Sequence, residues 1–185
     1  MNFKKDILLI DLETTGLDSS RHEIIQLAAI LLDKKSLAEK EVFCTYLKPT
    51  AWQRRDPKSM KINGITLKQV QGAPSLKEAI AGFEAAFGRD VVLAYYGGPV
   101  DMDFLRAAYK KIKRPFLFDY HYFNLWGVFY AYLAAKNKLK NGKKFTGFTL
   151  DDFMKEFKLT SSDRHDALED CRLEAEILRR VIKEI

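Results

Sequence analysis

The amino-acid sequence predicts an α/β domain in which helices cover both faces of a mixed β-sheet. Three apolar runs, at residues 6–12, 23–32 and 40–48, occur early without a long helix between them, which is typical of an antiparallel meander. Helical and strand-like patterns then alternate along the rest of the chain, as they do in layered α/β proteins. Together these observations imply a sheet that contains both antiparallel and parallel strand pairs.

The elements after the meander follow from the spacing of apolar residues. In chain order they are a helix at 75–88, a strand at 90–95, a helix at 100–113, a short strand near 115–119, and helices near 120–138, 149–158 and 165–185. No repeat, low-complexity segment or linker divides the chain. The sequence therefore predicts a single domain over residues 1–185.

The composition predicts a globular protein without a membrane partner. The chain has 185 residues, 47% of them hydrophobic, but no apolar run long enough to cross a bilayer. Its start, MNFKKDILLIDLE, reaches acidic residues after a few apolar ones, so we expect no secretory signal and a cytoplasmic location. Cys44 and Cys171 stand far apart without metal-ligand spacing, which predicts reduced core thiols.

The charge balance favours an anionic partner such as nucleic acid. The net charge is +6 and the pI about 9.2. Lysines are densest in KNKLKNGKK, residues 136–144. Charge patterning favours a solvated loop there over an arm that contacts phosphates. Only a phosphate-contacting arm would contribute to the salt dependence of nucleic-acid binding.

Two carboxylates follow a buried strand in ILLIDLETTGL, residues 7–17. Side chains alternate along a strand, so Asp11 and Glu13 point to one face and Leu12 to the other. Carboxylates this close raise each other's pKa unless a cation lies between them, and oxygen ligands suit Mg²⁺ or Mn²⁺. The segment therefore indicates half of a metal site. The alternative is a strand end that frays into a polar loop.

A third carboxylate is expected from the helix VDMDFLRAAYKKI. Asp101 lies three and four residues before Phe104 and Leu105, so it shares their inward face. Asp103 shares its face with Lys110 and should be solvated. Helix capping is the alternative role for Asp101.

The C-terminal helix supplies a fourth carboxylate. Asp170 falls inside an apolar stripe, where a carboxylate needs a binding partner, and Glu174 falls there too, for which an ion pair is the simplest account. Asp166 is expected in the first helical turn, where the helix dipole favours acidic residues. His165 stands at the helix start, which alone is more typical of a surface or capping residue. The stripe consists of Ala167, Cys171, Ala175, Leu178, Ile182 and Ile185.

The motifs D-x-E-T-T-G, F/V-D-x-x-F-L and H-x-A-x-x-D, in this order, resemble those of the DEDD exonuclease superfamily. The five-residue step from His165 to Asp170 resembles its DEDDh branch, which includes the proofreading exonuclease subunit of bacterial DNA polymerase III, RNase T and oligoribonuclease. KINGIT at 61–66 resembles the HGIT-like segment of the proofreading group. The resemblance extends over about residues 6–180.

The resemblance implies an RNase H-like fold, with a five-stranded mixed sheet and helices on both faces. It also implies two Mg²⁺ or Mn²⁺ ions about 4 Å apart, which activate water and stabilise the departing 3′ oxygen. Asp11 would contact both ions, Glu13 and Asp170 would complete one site, and Asp101 would reach the other mainly through water. His165 would take the proton from the attacking water. Nucleotides would leave one at a time from a 3′ end.

The resemblance also implies contacts to the terminal nucleotide. Thr14, Thr15 and Gly16 match positions that approach this nucleotide, and Leu17 matches an apolar position that packs beside the last base. Contacts of this kind tolerate any base, so little sequence specificity is expected. A structural alternative for Leu17 is a turn residue that packs back on the core.

Two positions depart from the family pattern. Gly97 occupies a position where the family commonly has Asn. Asn63 replaces the His of the HGIT-like segment and is expected to contact the substrate. Neither departure removes a metal ligand or the expected base, so both bear on substrate preference.

Three functions remain open from the sequence. The favoured one is a metal-dependent 3′-to-5′ exonuclease on single-stranded DNA, alone or as the proofreading partner of a DNA polymerase, a role in DNA repair. The second is an exoribonuclease that trims RNA ends or degrades short oligoribonucleotides and accepts the 2′-hydroxyl. The third is a noncatalytic module that binds nucleic acid or a polymerase. Four inward carboxylates disfavour this third function, because a binder of phosphates gains nothing from them.

Overall fold

The sheet has five strands, as the sequence predicts. The structure, a computed structural model, describes residues 3–139, 144, 147–160 and 165–185. The strands are β1 (Ile7–Thr14), β2 (Ile24–Leu32), β3 (Glu39–Tyr46), β4 (Val92–Tyr95) and β5 (Phe123–Asn124). Antiparallel pairs join β1 to β2 and β2 to β3, whereas β1 and β5 both run parallel to β4. The strand order is β3-β2-β1-β4-β5, which places β1 at the centre.

Helices cover both faces of this sheet. The helices are α1 (Pro57–Asn63), α2 (Leu67–Val70), α3 (Leu76–Phe87), α4 (Val100–Lys111), α5 (Leu125–Ala135), α6 (Leu150–Glu156) and α7 (Ala167–Glu184), and a 3₁₀ turn spans Trp52–Arg54. The two short helices α1 and α2 were not predicted, because so few residues show no helical periodicity. The other five confirm predicted helices, with shifted ends. Within the described ranges, no helix is long and apolar enough to cross a bilayer.

Alternation along β1 divides its side chains between two cores. Ile7 and Leu9 pack in the core formed with α5, α6 and α7. Leu8 and Ile10 pack in the core formed with α3 and α4. All four side chains are buried, each burial contributing about 1.5–3 kcal/mol. This packing holds β1 rigidly from both sides.

The strand predicted near 115–119 is wrong. No strand is assigned at these described residues, and the fifth strand is β5, further along the chain. Pro115 has no N–H to contribute to a strand ladder. Phe116 and Phe118 instead pack on Tyr109, with ring centroids 5.1 and 6.2 Å apart. The apolar residues that suggested a strand therefore belong to a packed loop.

The helix predicted from residue 120 begins only at Leu125. The Asn124 side chain accepts a hydrogen bond from the Trp126 N–H at 3.0 Å and so caps the helix. An Asn at this position favours a helix start over a helix interior, because its side chain competes with the backbone for hydrogen bonds.

Two core assignments were also wrong. Cys44 is exposed, whereas Cys171 is buried as predicted, and both are free thiols. The reason is that Cys44 lies on β3, the edge strand, on the face opposite Phe43, which packs on α3. Ile185 is 66% exposed, because it follows the last residue of α7.

The lysine-rich stretch 136–144 lies partly outside the described residues, which omit 140–143. Three of its lysines, Lys136, Lys138 and Lys144, are described, and the first two form ion pairs. Lys136 forms an ion pair with Glu184 at 3.3 Å, and Lys138 forms one with Glu156. The start of the stretch is therefore tied to α6 and α7 by ion pairs.

Candidate active site

β1 carries two carboxylates on one face at its C-terminal end. Asp11 lies opposite Ala28 in the register with β2, and Glu13 lies opposite Gln26. Both carboxylates are partly buried, whereas Leu12 between them is buried in the other core. The alternation predicted from the sequence therefore holds up to the end of the strand.

The turn after β1 uses both threonine hydroxyls internally. The Thr14 hydroxyl donates to the Gly16 carbonyl at 2.7 Å, and the Thr15 hydroxyl accepts from the Glu23 N–H at 2.9 Å. Both threonines are buried, whereas Leu17 is 75% exposed. Leu17 is thus the side chain that this turn presents to solvent.

His22 packs beneath the same turn. Its Nδ1 accepts a hydrogen bond from the Asp18 N–H at 3.2 Å. A Cβ atom on Gly16 would lie 2.5 Å from the His22 ring, closer than real Cβ contacts. The glycine therefore allows the chain to pass directly over the imidazole.

Asn63, at the end of α1, lies beside the end of β1. Its Nδ2 donates to the Thr14 carbonyl at 3.1 Å, and its Oδ1 accepts from the Ile65 N–H at 3.0 Å. A hydrogen bond from Asn63 also lowers the pKa of Glu13 against the raising effect of burial. The residue predicted to contact substrate therefore adjoins a predicted metal ligand.

The first turn of α4 places Asp101 against β1. Burial raises the pKa of the Asp101 carboxyl, and hydrogen bonds from its own N–H and that of Leu12 oppose this shift. Asp103, two residues later, is exposed. The structure thus separates the two aspartates as the helical spacing predicts.

Asp166 caps α7, one position earlier than the predicted first-turn role. Its Oδ1 accepts from the N–H groups of Leu168 and Glu169 at 3.1 and 3.2 Å. Its Oδ2 accepts from Nε2 of Gln26 at 2.9 Å. Sequence reasoning missed Gln26, although a polar residue inside IIQLAAILL was a detectable signal.

His165 and Asp170 lie on either side of this cap. Asp170 is 7% exposed and Glu174, one helical turn later, is 2% exposed, so both lie on the buried face of α7. His165 is exposed and has a left-handed backbone, with φ of 69°. Its N–H donates to Asp170 Oδ2 at 3.3 Å.

These segments converge on one site. One ligand atom each from Glu13, His165 and Asp170 lies within 4.8 Å of the other two. Burial raises the pKa of Glu13 to about 8, and the Asp170 charge adds to this shift. Asp11 extends the cluster, because the pKa of its carboxyl is raised well above the usual value, first by burial and then by the charges of Asp101, Glu174, Glu13 and Asp170.

The donor set fits a divalent metal ion. Carboxylate oxygens dominate it, which is typical of Mg²⁺ and Mn²⁺ sites. The raised pKa values of Asp11 and Glu13 mean that negative charge is unfavourable there without a cation. A bound cation would relieve this repulsion, so the residues fit the metal that the motifs imply.

Part of the cluster borders a cleft of about 780 Å³. Its lining includes Asp11, His165 and Asp170 together with the aromatic residues Trp126 and Phe148. Trp126 Nε1 donates to the Phe148 carbonyl at 2.8 Å, which fixes the indole. Sequence reasoning did not single out these aromatic residues. Trp126 lies in α5, where an aromatic residue is usually a core residue, and Phe148 lies just before α6.

Gly97 lines the same cleft with a backbone that favours glycine. Its φ is 88°, and its carbonyl accepts from Asn124 Nδ2 at 2.8 Å. Position 97 thus has no Asn side chain, but the side chain of Asn124 contacts its backbone.

Comparison with known sequences supports the motifs. The family model for RNase T exonucleases matches residues 8–178. A PolC-type DNA polymerase III from Thermotoga maritima is 26% identical over 181 residues, which cover 95% of this chain but only 12% of the polymerase. The DNA polymerase III subunit epsilon of Aquifex aeolicus is 27% identical over 183 residues, which cover 96% of this chain and 81% of the subunit.

Solved structures support the RNase H-like fold. A zinc-bound complex of E. coli ExoI with single-stranded DNA has a TM-score of 0.83 at 19% identity, covering 98% of this chain and 41% of that one. The nuclease domain of 3′hExo, described as a DEDDh family member bound to rAMP, has a TM-score of 0.73 at 19% identity, covering 100% and 95%. At these identities the likeness concerns the fold.

Proposed function

Because this chain belongs to the RNase T family of exonucleases, we propose that it removes nucleotides one at a time from the 3′ end of single-stranded DNA. The observation that carries the proposal is the convergence of Glu13, His165 and Asp170 within 4.8 Å from three separate segments. A noncatalytic binder of phosphates would have no use for such a cluster, because buried carboxylates repel phosphate.

Four carboxylates would hold two divalent metal ions, Mg²⁺ or Mn²⁺. Asp11 would be one of the residues that hold them, because burial and then the charges of the neighbouring carboxylates raise the pKa of its carboxyl. When bound, such ions activate water and stabilise the charge on the leaving oxygen. The protein holds the carboxylates on two rigid elements, β1 and α7, and on the first turn of α4.

His165 would act as the general base. Its imidazole is exposed, and one ring nitrogen lies within 4.8 Å of carboxylate oxygens of Glu13 and Asp170. It can therefore accept a proton from water at the cluster and pass it to solvent. The Asp170 carboxylate, which accepts from the His165 N–H, keeps the histidine at the cluster.

The turn after β1 would receive the terminal nucleotide. Leu17 is exposed and can pack on a base, and Asn63 adjoins Glu13. Thr14, Thr15 and Gly16 would contribute through the backbone, because both hydroxyls are engaged within the turn. Packing of this kind is tolerant of sequence.

DNA is the favoured substrate, and a DNA polymerase is the proposed partner. The support is the similarity to DNA polymerase III subunit epsilon and PolC-type polymerases, which suggests proofreading. An RNA substrate is the second candidate, because the 3′hExo nuclease domain matches over nearly its whole length and was solved with rAMP. The net charge of +6 is compatible with both nucleic acids.

The test is a gel assay with matched 5′-labelled single-stranded DNA and RNA oligonucleotides. We expect stepwise shortening from the 3′ end with Mg²⁺ or Mn²⁺ and none with excess chelator. Faster shortening of RNA than of DNA would contradict the preference for DNA and support the exoribonuclease. Binding without shortening under both metals would contradict the proposed activity and leave the noncatalytic function.

A further inference from the structure

We propose that Gln26 is a positioning residue that holds the start of α7 against the sheet, and with it Asp170 and His165, which directly precedes the cap of this helix. None of the three motifs contains Gln26. The inference rests on the proposed function, because the groups that it positions are the expected base and a metal ligand of that site.

Both polar groups of the Gln26 side-chain amide, the NH₂ and the carbonyl oxygen, form hydrogen bonds to the start of α7. Its Nε2 donates to Asp166 Oδ2 at 2.9 Å, and its Oε1 accepts from the Ala167 N–H at 3.3 Å. The same Nε2 lies 3.7 Å from the Cys44 sulfur, a weaker contact. The two hydrogen bonds to α7 fix the helix end in both position and rotation.

The amide is polar in an apolar setting. Gln26 is 3% exposed and is the one polar residue in the strand sequence IIQLAAILL. A buried amide that loses its partners leaves polar groups unsatisfied, which is unfavourable. The side chain therefore has a strong preference for the one arrangement in which α7 satisfies it.

The position of Gln26 connects the two halves of the site. In the strand register it lies directly opposite Glu13. On the helix side it binds Asp166, the residue that follows His165, and the Asp166 carbonyl accepts from the Asp170 N–H at 2.9 Å. The amide thus links the strand position of Glu13 to the helix start that holds His165 and Asp170.

Loss of this link should impair chemistry more than substrate binding. Residues that orient a metal ligand without touching the metal typically change affinity or activity about 10- to 100-fold when mutated. Among the described residues, no side-chain hydrogen bond of Gln26 reaches Leu17 in the turn after β1 or Asn63 at the end of α1. We therefore expect a decrease in kcat with KM nearly unchanged.

The first experiment compares Gln26→Leu with Leu32→Ala. Leu32 lies on the same strand and face but packs in the apolar core, so its truncation lowers stability without touching the start of α7. We expect Gln26→Leu to reduce kcat about 10- to 100-fold and to raise the Mn²⁺ concentration needed for half-saturation in a binding titration. Leu32→Ala should keep both values within about twofold of wild type, since it leaves the site intact.

A spectroscopic readout separates positioning from a general loss of stability. The chain has three histidines, so the His165 imidazole resonance can be assigned by NMR through His165→Gln. We expect Gln26→Leu to shift that resonance and to leave those of His22 and His121 in place. Leu32→Ala should shift none of the three.

An exchange of partners provides a rescue. Gln26→Glu alone would place a carboxylate against Asp166 Oδ2 and should reduce kcat. When it is combined with Asp166→Asn, the amide introduced at position 166 can donate to the carboxylate introduced at position 26, so the hydrogen bond is kept with donor and acceptor exchanged. Asn also remains a good helix cap. We expect the double variant to recover kcat to within about threefold of wild type, because the coupled pair is not additive.

Three results would overturn the inference: a kcat for Gln26→Leu equal to that of Leu32→Ala, a His165 resonance that does not move, or a double variant no more active than Gln26→Glu. Absence of nuclease activity in the wild type would instead contradict the proposed function. The histidine resonances and the Mn²⁺ titration would then still test the positioning role.

Discussion

The two faces of β1 differ sharply in what they carry. On one face, Leu8, Ile10 and Leu12 are buried against α3 and α4 along the whole strand. On the other face, Ile7 and Leu9 are buried with α7, but Asp11 and Glu13 follow them at the C-terminal end of the strand, where Asp11 lines the cleft. One face therefore carries only core residues, whereas the other carries core residues in its first half and the acidic residues of the candidate site in its second half.

The comparison shows how a costly cluster of carboxylates can be tolerated. The apolar face, packed on two helices, keeps β1 straight and fixed. The acidic side chains therefore keep their position although burial, and after it the charges of neighbouring carboxylates, raise the pKa of Asp11 and Glu13. Apolar residues on both faces hold β1, whereas the acidic side chains occur only at the end of one face. Substitutions of the apolar and of the acidic residues should therefore have separable effects.

The largest expected effect is the loss of activity on substitution of the acidic face, which is compared with the loss of stability on substitution of the apolar face. Asp11→Ala should reduce kcat about 10³-fold or more, because several kcal/mol of metal-dependent transition-state stabilisation are lost, while the fold is kept. Leu8→Ala, on the apolar face, should cost about 2–5 kcal/mol of unfolding free energy and keep kcat in the folded fraction. Steady-state kinetics and urea denaturation measure both. An unchanged rate for Asp11→Ala would contradict the metal assignment.

The next effect tests whether α4 contributes to the reactive face. Asp101→Asn should reduce kcat about 10- to 100-fold, as expected for a group that supports a metal site. Asp103→Asn is the matched control, because Asp103 is exposed on the same helix, and it should stay within about twofold. Equal effects of the two substitutions would show that the inward position of Asp101 has no catalytic consequence.

A smaller effect concerns stability without metal. The pKa of Glu13 is raised from 4.5 to about 8 in the folded protein, so the folded state holds a proton that the unfolded state releases. The corresponding stability is present below about pH 4.5 and is lost as the pH rises through about 8. In the presence of chelator, Tm should therefore fall as the pH rises from about 6 to about 9, by about 2–4 °C for each kcal/mol of unfolding free energy that is lost.

Glu13→Gln is the control for that fall in Tm, and it should flatten the pH dependence. Mg²⁺ should have the opposite influence on the wild type, because it binds the deprotonated carboxylates and stabilises the folded state at high pH. Calorimetry at several pH values measures both. A wild-type profile identical to that of Glu13→Gln would show that the pKa of Glu13 is not raised in the folded protein.

The smallest effect concerns the turn beyond β1. Leu17→Ser should raise KM about 3- to 10-fold, the lower part of the range for a lost base contact, with kcat nearly constant. Leu117→Ser is the matched control, because Leu117 is also an exposed leucine, and it should change neither. If the two variants behave alike, Leu17 is only a turn residue.

Much of this arrangement was predictable from local patterns. The meander, α3, α4 and the inward direction of Asp101 and Asp170 follow from periods of two and 3.6 residues, which depend on backbone geometry alone. The short strand β5 was not predictable, because two residues have no period. The exposure of Cys44 depends on the place of β3 at the sheet edge, which no local pattern reports.

By itself, the sequence determined which side chains face inward and in what order the acidic motifs occur, because alternation and helical periodicity are local properties of the backbone. Only the tertiary structure brought Glu13 within 4.8 Å of His165 and Asp170, which are more than 150 residues away in the chain. It also decided that a glutamine would hold α7 to the sheet. Such contacts depend on how β2 packs against α7, and packing between distant segments has no signature within either segment.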